Sequence, residues 1–155
     1  MTLPEPEYLE LPERQLVGLT RAFSLDTRTE IPAFWEEFWG RNWELTGDQE
    51  AASYGISHCV KADGSFNYAI GLHFTPFPEE RPEDTCVITL SAGRYAVFRK
   101  RGPVYEIPAM FDEIFGNWLQ TSGETQREGA VYERYPFTDD CSLESMSYEI
   151  WVPVE

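Results

Sequence analysis

The residues of this chain best suited to chemistry sit in its last strand-like run, MSYEIWVPV. Within it Tyr148-Glu-Ile-Trp-Val alternates apolar residues with a carboxylate and an indole, and a near copy, Tyr68-Ala-Ile-Gly-Leu, stands in the first half. Side chains of a strand point alternately to its two faces. Tyr148, Ile150 and Val152 therefore share a side with their counterparts Tyr68, Ile70 and Leu72, an apolar side expected to pack under helices. The other side carries Glu149 and Trp151 in one copy but only Ala69 and Gly71 in the other. If the copies lie side by side, the small residues leave a concavity and the carboxylate looks into it. A desolvated carboxylate is costly unless paired, so such a site suits a cationic guest held against aromatic faces. The pattern alone equally allows a solvated Glu149, with Ala69 and Gly71 incidental.

Other reactive side chains form weaker patterns. His58 and His73 fall in adjacent strand-like runs and could lie near one another, but zinc or general-base roles need further ligands or a nucleophile. They read as partly exposed strand histidines. Cys59 follows His58, yet strand neighbours point to opposite faces, so a buried thiol is expected rather than a nucleophile and its base. Cys59, Cys86 and Cys141 have no metal-like spacing and are odd in number, which reads as reduced thiols in a cytoplasmic protein. Phosphate-binding glycine loops, G-x-S-x-G and paired-histidine motifs are missing, so neither cofactor nor metal is expected. The one basic run, Arg99-Lys100-Arg101, reads as a solvated strand end.

The elements that must position these residues announce themselves by repetition. Ile31 to Trp43, IPAFWEEFWGRNW, returns as Ile107 to Leu119, IPAMFDEIFGNWL, with Ile31, Pro32, Ala33, Glu37 and Gly40 matched by Ile107, Pro108, Ala109, Glu113 and Gly116. Proline just inside the start and apolar residues at i, i+3, i+4 and i+7 predict helices from about 31 to 42 and from about 105 to 120. Trp35, Phe38, Phe111 and Phe115 hold core spacing, while Trp39 and Trp118 lie toward the stripe edges. Strands are expected at Gln15 to Phe23, in ASYGISHCV and FNYAIGLHF as a hairpin, in CVITLSAGRYAVFRKR with Gly93 as kink or turn, in AVYERYPF and in the last run, with a turn from Thr138 to Ser142. PFPEERPED marks a seam between pseudo-repeats of about 8–75 and 85–154. The expected fold is α+β: a duplicated β-α-β-β unit in a single domain, 1–155, with two helices packed on an antiparallel sheet and a groove between the halves.

Composition bounds the partners. A net charge of −15, from 27 acidic and 12 basic residues, disfavours a phosphate backbone and favours a cationic small molecule or a basic protein patch. Aromatic residues make up 15% of the chain, enough to wall a cation pocket beyond what the core uses. No apolar run reaches the length of a membrane span or resembles a signal peptide.

Taken together, IPAMFDEIFGNWL, AVYERYP and YEIWVPV resemble the gyrase-inhibitor-like (GyrI-like) superfamily, which includes the effector-binding domains of AraC-type and MerR-type multidrug-sensing regulators. The resemblance runs from about Tyr8 to Val154. It implies a ligand groove between the halves, lipophilic cations as ligands, and Glu149 as the acidic anchor. Trp151, Tyr135 and Tyr95 or Tyr105 are the walls it suggests. With both helices committed to the core, no helix-turn-helix is expected in these 155 residues, which likens the chain to stand-alone members. Two alternatives stay open: a hydrolase of strained small molecules using Glu149 as general base, and a module that binds gyrase, a regulator or another basic partner.

Overall fold

Alternating apolar positions and proline-led stripes become strands and helices in their expected order, with an unforeseen first strand and two short ones added. The computed structural model describes residues 2–138, 142 and 144–155, so Cys141 and most of the turn from Thr138 to Ser142 lie outside the described residues. The first half supplies β1 (Glu7–Leu11), β2 (Arg14–Phe23), α1 (Ile31–Trp39), β3 (Asp48–Gln49), β4 (Ala52–His58), β5 (Phe66–Leu72) and β6 (Phe74–Thr75). The second supplies β7 (Cys86–Leu90), β8 (Gly93–Gly102), α2 (Ile107–Glu113), β9 (Val131–Pro136) and β10 (Met146–Pro153). Gly40 caps α1, but its counterpart Gly116 falls inside a π turn, Ile114–Trp118, through which α2 continues to Thr121. Gly93, with φ +138°, is the turn into β8, a conformation that favours glycine.

Eight strands form one antiparallel sheet in the order β1-β8-β10-β9-β4-β5-β2-β7. The order is symmetric about the central pair β9–β4: β10 answers β5, β8 answers β2 and β1 answers β7. Each half lends its first strand to the other, since β1 pairs with β8 and β7 with β2. The short pair β3–β6 stands apart.

The two faces bury different things. On one, α1 covers Val17, Leu19, Tyr68, Ile70 and Leu72 with Phe34 and Phe38, and α2 covers Phe98, Tyr148, Ile150 and Val152 with Met110 and Ile114. The apolar sides expected of β5 and β10 thus lie under the helices. On the other face the sheet curls over its own side chains, gathering Leu16, Leu90, Tyr54, Tyr95, Tyr132 and Trp151 with Leu9, Leu11 and Ile88 of the two edge strands. Among the described residues no helix is long and apolar enough to cross a membrane.

Candidate functional site

Glu149 lies on the curled face, opposite the helices, and its charge is already matched. Arg99 Nε donates to Oε2 at 3.1 Å, Arg134 Nη1 donates to both oxygens at 3.2 Å, and Trp151 Nε1 donates to Oε1 at 2.9 Å. Arg134 in turn holds Glu50, and Arg99 holds Glu7. A carboxylate only 6% exposed and shared between two guanidiniums is neutralised from within, its two oxygens taken up by Arg99, Arg134 and Trp151. The basic run is a solvated strand end as expected, with Arg99 and Arg101 exposed, but it is also paired: Arg99 as above, and Lys100 with Glu106 at 3.2 Å.

The space expected beside Ala69 and Gly71 is filled. A Cβ on Gly71 would stand 2.9 Å from Leu16 Cβ and 3.3 Å from Ile88 Cδ1, and Ala69 is wholly buried in the same cluster. The curl that brings β2 and β7 over β5 closes this hollow. Trp151, 4% exposed, stacks on Tyr132 at 5.5 Å and meets Tyr95 edge-on at 5.7 Å. The cation over the Trp151 and Tyr54 rings is the chain's own Arg14, which donates to the hydroxyls of Tyr54 and Tyr132 at 2.9 and 3.2 Å, and Arg127 stands over Tyr95. Tyr105, 78% exposed, is far from being a wall of a buried site.

An acid of a different character stands on the helix side. In β9 the alternation places Val131, Glu133 and Tyr135 toward the helices and Tyr132 and Arg134 toward the curled face. Glu133 is 7% exposed, and its Oε1 accepts hydrogen bonds from the Tyr135 hydroxyl at 2.8 Å and the Tyr68 hydroxyl at 3.2 Å. Trp35 Nε1 of α1 donates to the Tyr68 hydroxyl at 3.2 Å, and the Trp35 ring meets Tyr135 edge-on at 5.4 Å. Burial pushes the carboxyl up to about 7, against the smaller opposing pull of the two tyrosines and its own backbone amide. Burial, then the nearby Glu133, hold both tyrosine hydroxyls well above their ordinary range.

Room for this cluster comes from Gly55, the cross-strand partner of Glu133. A Cβ there would fall 2.1 Å from the Tyr68 hydroxyl and 3.2 Å from Trp35 Cζ2. Trp35 and Tyr135 are partly exposed while Glu133 and Tyr68 are buried, so the first two separate the carboxyl from solvent. Tyr135 also packs with the α2 cluster and Trp35 with that of α1, which puts the site at the seam between the helical halves. Trp39 and Phe137, 45% and 46% exposed and 5.8 Å apart, extend the aromatic surface from α1 to the end of β9. Trp118 instead rests on Phe98 at 4.9 Å.

Of the wall candidates, then, the acid on the helix side has Tyr135 alone. Trp35 is part of the cluster rather than plain core, and Glu133 was overlooked although the sequence carried a signal. Aligning Tyr54 with Tyr132, a shift of 132 − 54 = 78, sets Gly55 against Glu133.

The remaining reactive groups stay dispersed. In the β4–β5 register His58 faces Asn67 at one end, whereas His73 lies beyond Leu72 at the other, about six residues or roughly 20 Å away. Burial lowers both histidine pKa values. Cys59 is exposed, not buried: it follows β4 with φ +53°, so strand alternation no longer applies and its Sγ comes 3.5 Å from His58 Nδ1. Two surface hollows also lie elsewhere, about 530 Å³ along Glu79–Thr85 and about 220 Å³ between Leu19, Phe34 and Cys86. The charges bordering the second are paired, Arg21 with Glu37 and Arg41 with Asp84, which leaves nothing there to anchor an ion.

Comparison with known proteins places this geometry. The family model described as a GyrI-like small molecule binding domain matches residues 4–155. The transcriptional regulator BrlR of Pseudomonas aeruginosa is 30% identical over 129 residues, which cover 82% of this chain but 46% of BrlR, so the chain spans about half the length of that relative. Among solved structures, a bacterial transcription regulation protein from Staphylococcus aureus MU50 superposes with a TM-score of 0.71 at 22% identity, covering 97% of this chain and 98% of its own. The structure of SAV2435 bound to tetraphenylphosphonium superposes with a TM-score of 0.69 at 23% identity, covering 98% and 94%.

Proposed function

We propose a ligand class and a site from one premise: the chain belongs to the GyrI-like family of small molecule binding domains. It binds a lipophilic organic cation at the seam between α1 and α2, above Glu133, as a cytoplasmic effector-binding domain. The observation that carries this reading is a buried carboxyl group with tyrosine hydroxyls around it and no charged neighbour among the influences on it. By contrast, Glu149 is equally buried but held by two arginines. Trp35 and Tyr135 must part for a guest to touch the acid, and once parted they present faces to a positive charge. Such a contact is worth about 2 kcal/mol when desolvated. The site offers few hydrogen-bond groups of its own, because both hydroxyls donate to Glu133 and the Trp35 indole donates to Tyr68. That favours a delocalised cation without polar substituents. The ligand of SAV2435, tetraphenylphosphonium, is of this class and supports the reading.

The test is titration with tetraphenylphosphonium followed by tryptophan fluorescence or calorimetry. Losing a buried charge partner costs about 2 kcal/mol or more, so Glu133→Gln is expected to weaken binding about thirtyfold, while Glu149→Gln leaves the affinity of the folded protein unchanged. Equal affinity in wild type and Glu133→Gln would reject the site.

A further inference from the structure

The state of Glu133 before a ligand arrives has a consequence for binding, given the reading of this residue as the anchor. The groups packed around it come from five elements: Tyr68 of β5, Trp35 of α1 through that hydroxyl, Tyr135 of its own strand, and the cross-strand neighbours Gly55 of β4 and Ile150 of β10. None bears a positive charge, and the influences on the carboxyl are burial, two tyrosine hydroxyls and a backbone amide. An ionised carboxylate in such a place is costly, and the economical empty state is the neutral acid. A permanent cation against the same oxygens reverses the preference, because opposite charge at contact favours the ionised form.

We propose that the site exchanges one proton for one cation. The carboxyl O–H bond of Glu133 breaks as the ligand docks, the proton leaves to solvent, and the resulting carboxylate faces the ligand's charge. The pocket is neutral before and after. Its aromatic walls take no part in the exchange, since Tyr68 and Tyr135 titrate well above their ordinary range and Trp35 does not titrate. Affinity for a cation is then set by pH around and below neutrality, and a neutral guest of the same shape shows no such dependence.

Calorimetry with tetraphenylphosphonium chloride, run at each pH in buffers of different ionisation enthalpy, counts the protons released. This cation has no titratable group. With a carboxyl at about 7, the expected release is about 0.9 proton at pH 6 and close to none at pH 8.5, with Kd about tenfold weaker at pH 6 than at pH 8.5. Glu133→Gln is expected to release none and to show a flat profile. Wild-type binding with no proton released at pH 6 overturns the exchange, although the anchor stands if Glu133→Gln still weakens binding. Equal affinity in that variant removes the anchor and the exchange with it. An independent arm needs no ligand: infrared spectra of glutamate-labelled protein at pH 6 are expected to show a protonated-carboxyl band that Glu133→Gln lacks. Its absence in the wild type also overturns the proposal.

Discussion

Replacing Glu133 by glutamine makes the unliganded protein more stable at alkaline pH and changes the shape of its pH profile. The carboxyl titrates at about 7 in the folded chain against an ordinary 4.5. Between those values the folded state holds a proton that the unfolded state has released, so unfolding releases it and stability falls as pH rises through this window. At 1.36 kcal/mol per unit, the full deficit above pH 7 is about 3 kcal/mol. An amide in the same place accepts from Tyr68 and Tyr135 through its oxygen and never ionises. The stability difference, variant minus wild type, is therefore constant below about pH 4.5, grows from there to pH 7, and levels off above, higher by about 3 kcal/mol. The difference is the quantity to measure. His58 and His73, whose pKa values burial lowers, raise stability with pH in part of the same window, and the carboxyls of Asp63, Asp84 and Glu106, held low by hydrogen bonds, lose their contribution on acidification below it. These terms cancel between the two proteins. Urea unfolding at half-unit intervals from pH 4 to 8.5 supplies the curves. Parallel profiles for wild type and Glu133→Gln would refute the reasoning, because they would mean that the carboxyl ionises as easily folded as unfolded.

Two further substitutions separate the acids of the two faces. Gly55→Ala puts a methyl 2.1 Å from the Tyr68 hydroxyl. It is expected to break the Tyr68–Glu133 hydrogen bond and weaken tetraphenylphosphonium binding by at least about tenfold, read by the same titration, with a cost of about 1–3 kcal/mol as for other overpacked sites. Glu149→Ala strips Arg134, Arg99 and the Trp151 indole of a shared acceptor. Breaking a buried pair from one side costs about 3 kcal/mol, or a melting temperature lower by roughly 6–12 °C in a calorimetric scan, with ligand affinity kept.

What the sequence made legible is what periodicity can carry. The repeated IPA-led stripe foretold both helices, and the Tyr-x-Ile alternation assigned the apolar sides of β5 and β10 to them correctly. Alternation says which side chains share a face but not what covers that face. The exchange of β1 and β7 between halves is a long-range pairing with no local signature, and it is this exchange that adds Ile88 of β7 to Leu16 of β2 at the place left by Gly71. The partners of Glu149 were equally hidden. Arg134 and Arg99 come from strands that neighbour β10 on either side, a sheet order that the sequence leaves open. Cys59 was misplaced for a local reason, a single positive φ just past the strand end.

The copy-difference reasoning that pointed to Glu149 on β10 and β5 applies equally to a second pair of strands. In a duplicated fold, a difference between the copies near the symmetry axis sets one copy's side chain directly against the space left by the other. In this sheet the axis passes between β4 and β9, not between β5 and β10. Gly55 and Glu133 are equivalent by the tyrosine that precedes each, and they are also directly opposed across the central pair. Glu149 faces Arg134 and Arg99, so its copy difference is absorbed by neighbours on its own side of the axis. Glu133 faces a glycine, and the room that glycine leaves is taken by the Tyr68 hydroxyl and the edge of Trp35, both from the other half. The unmatched acid at the axis is thus shared between halves, within reach of aromatic groups from α1, β5 and β9. Under the proposed reading, a guest that separates Trp35 from Tyr135 touches both helical clusters at once, since Trp35 packs with that of α1 and Tyr135 with that of α2.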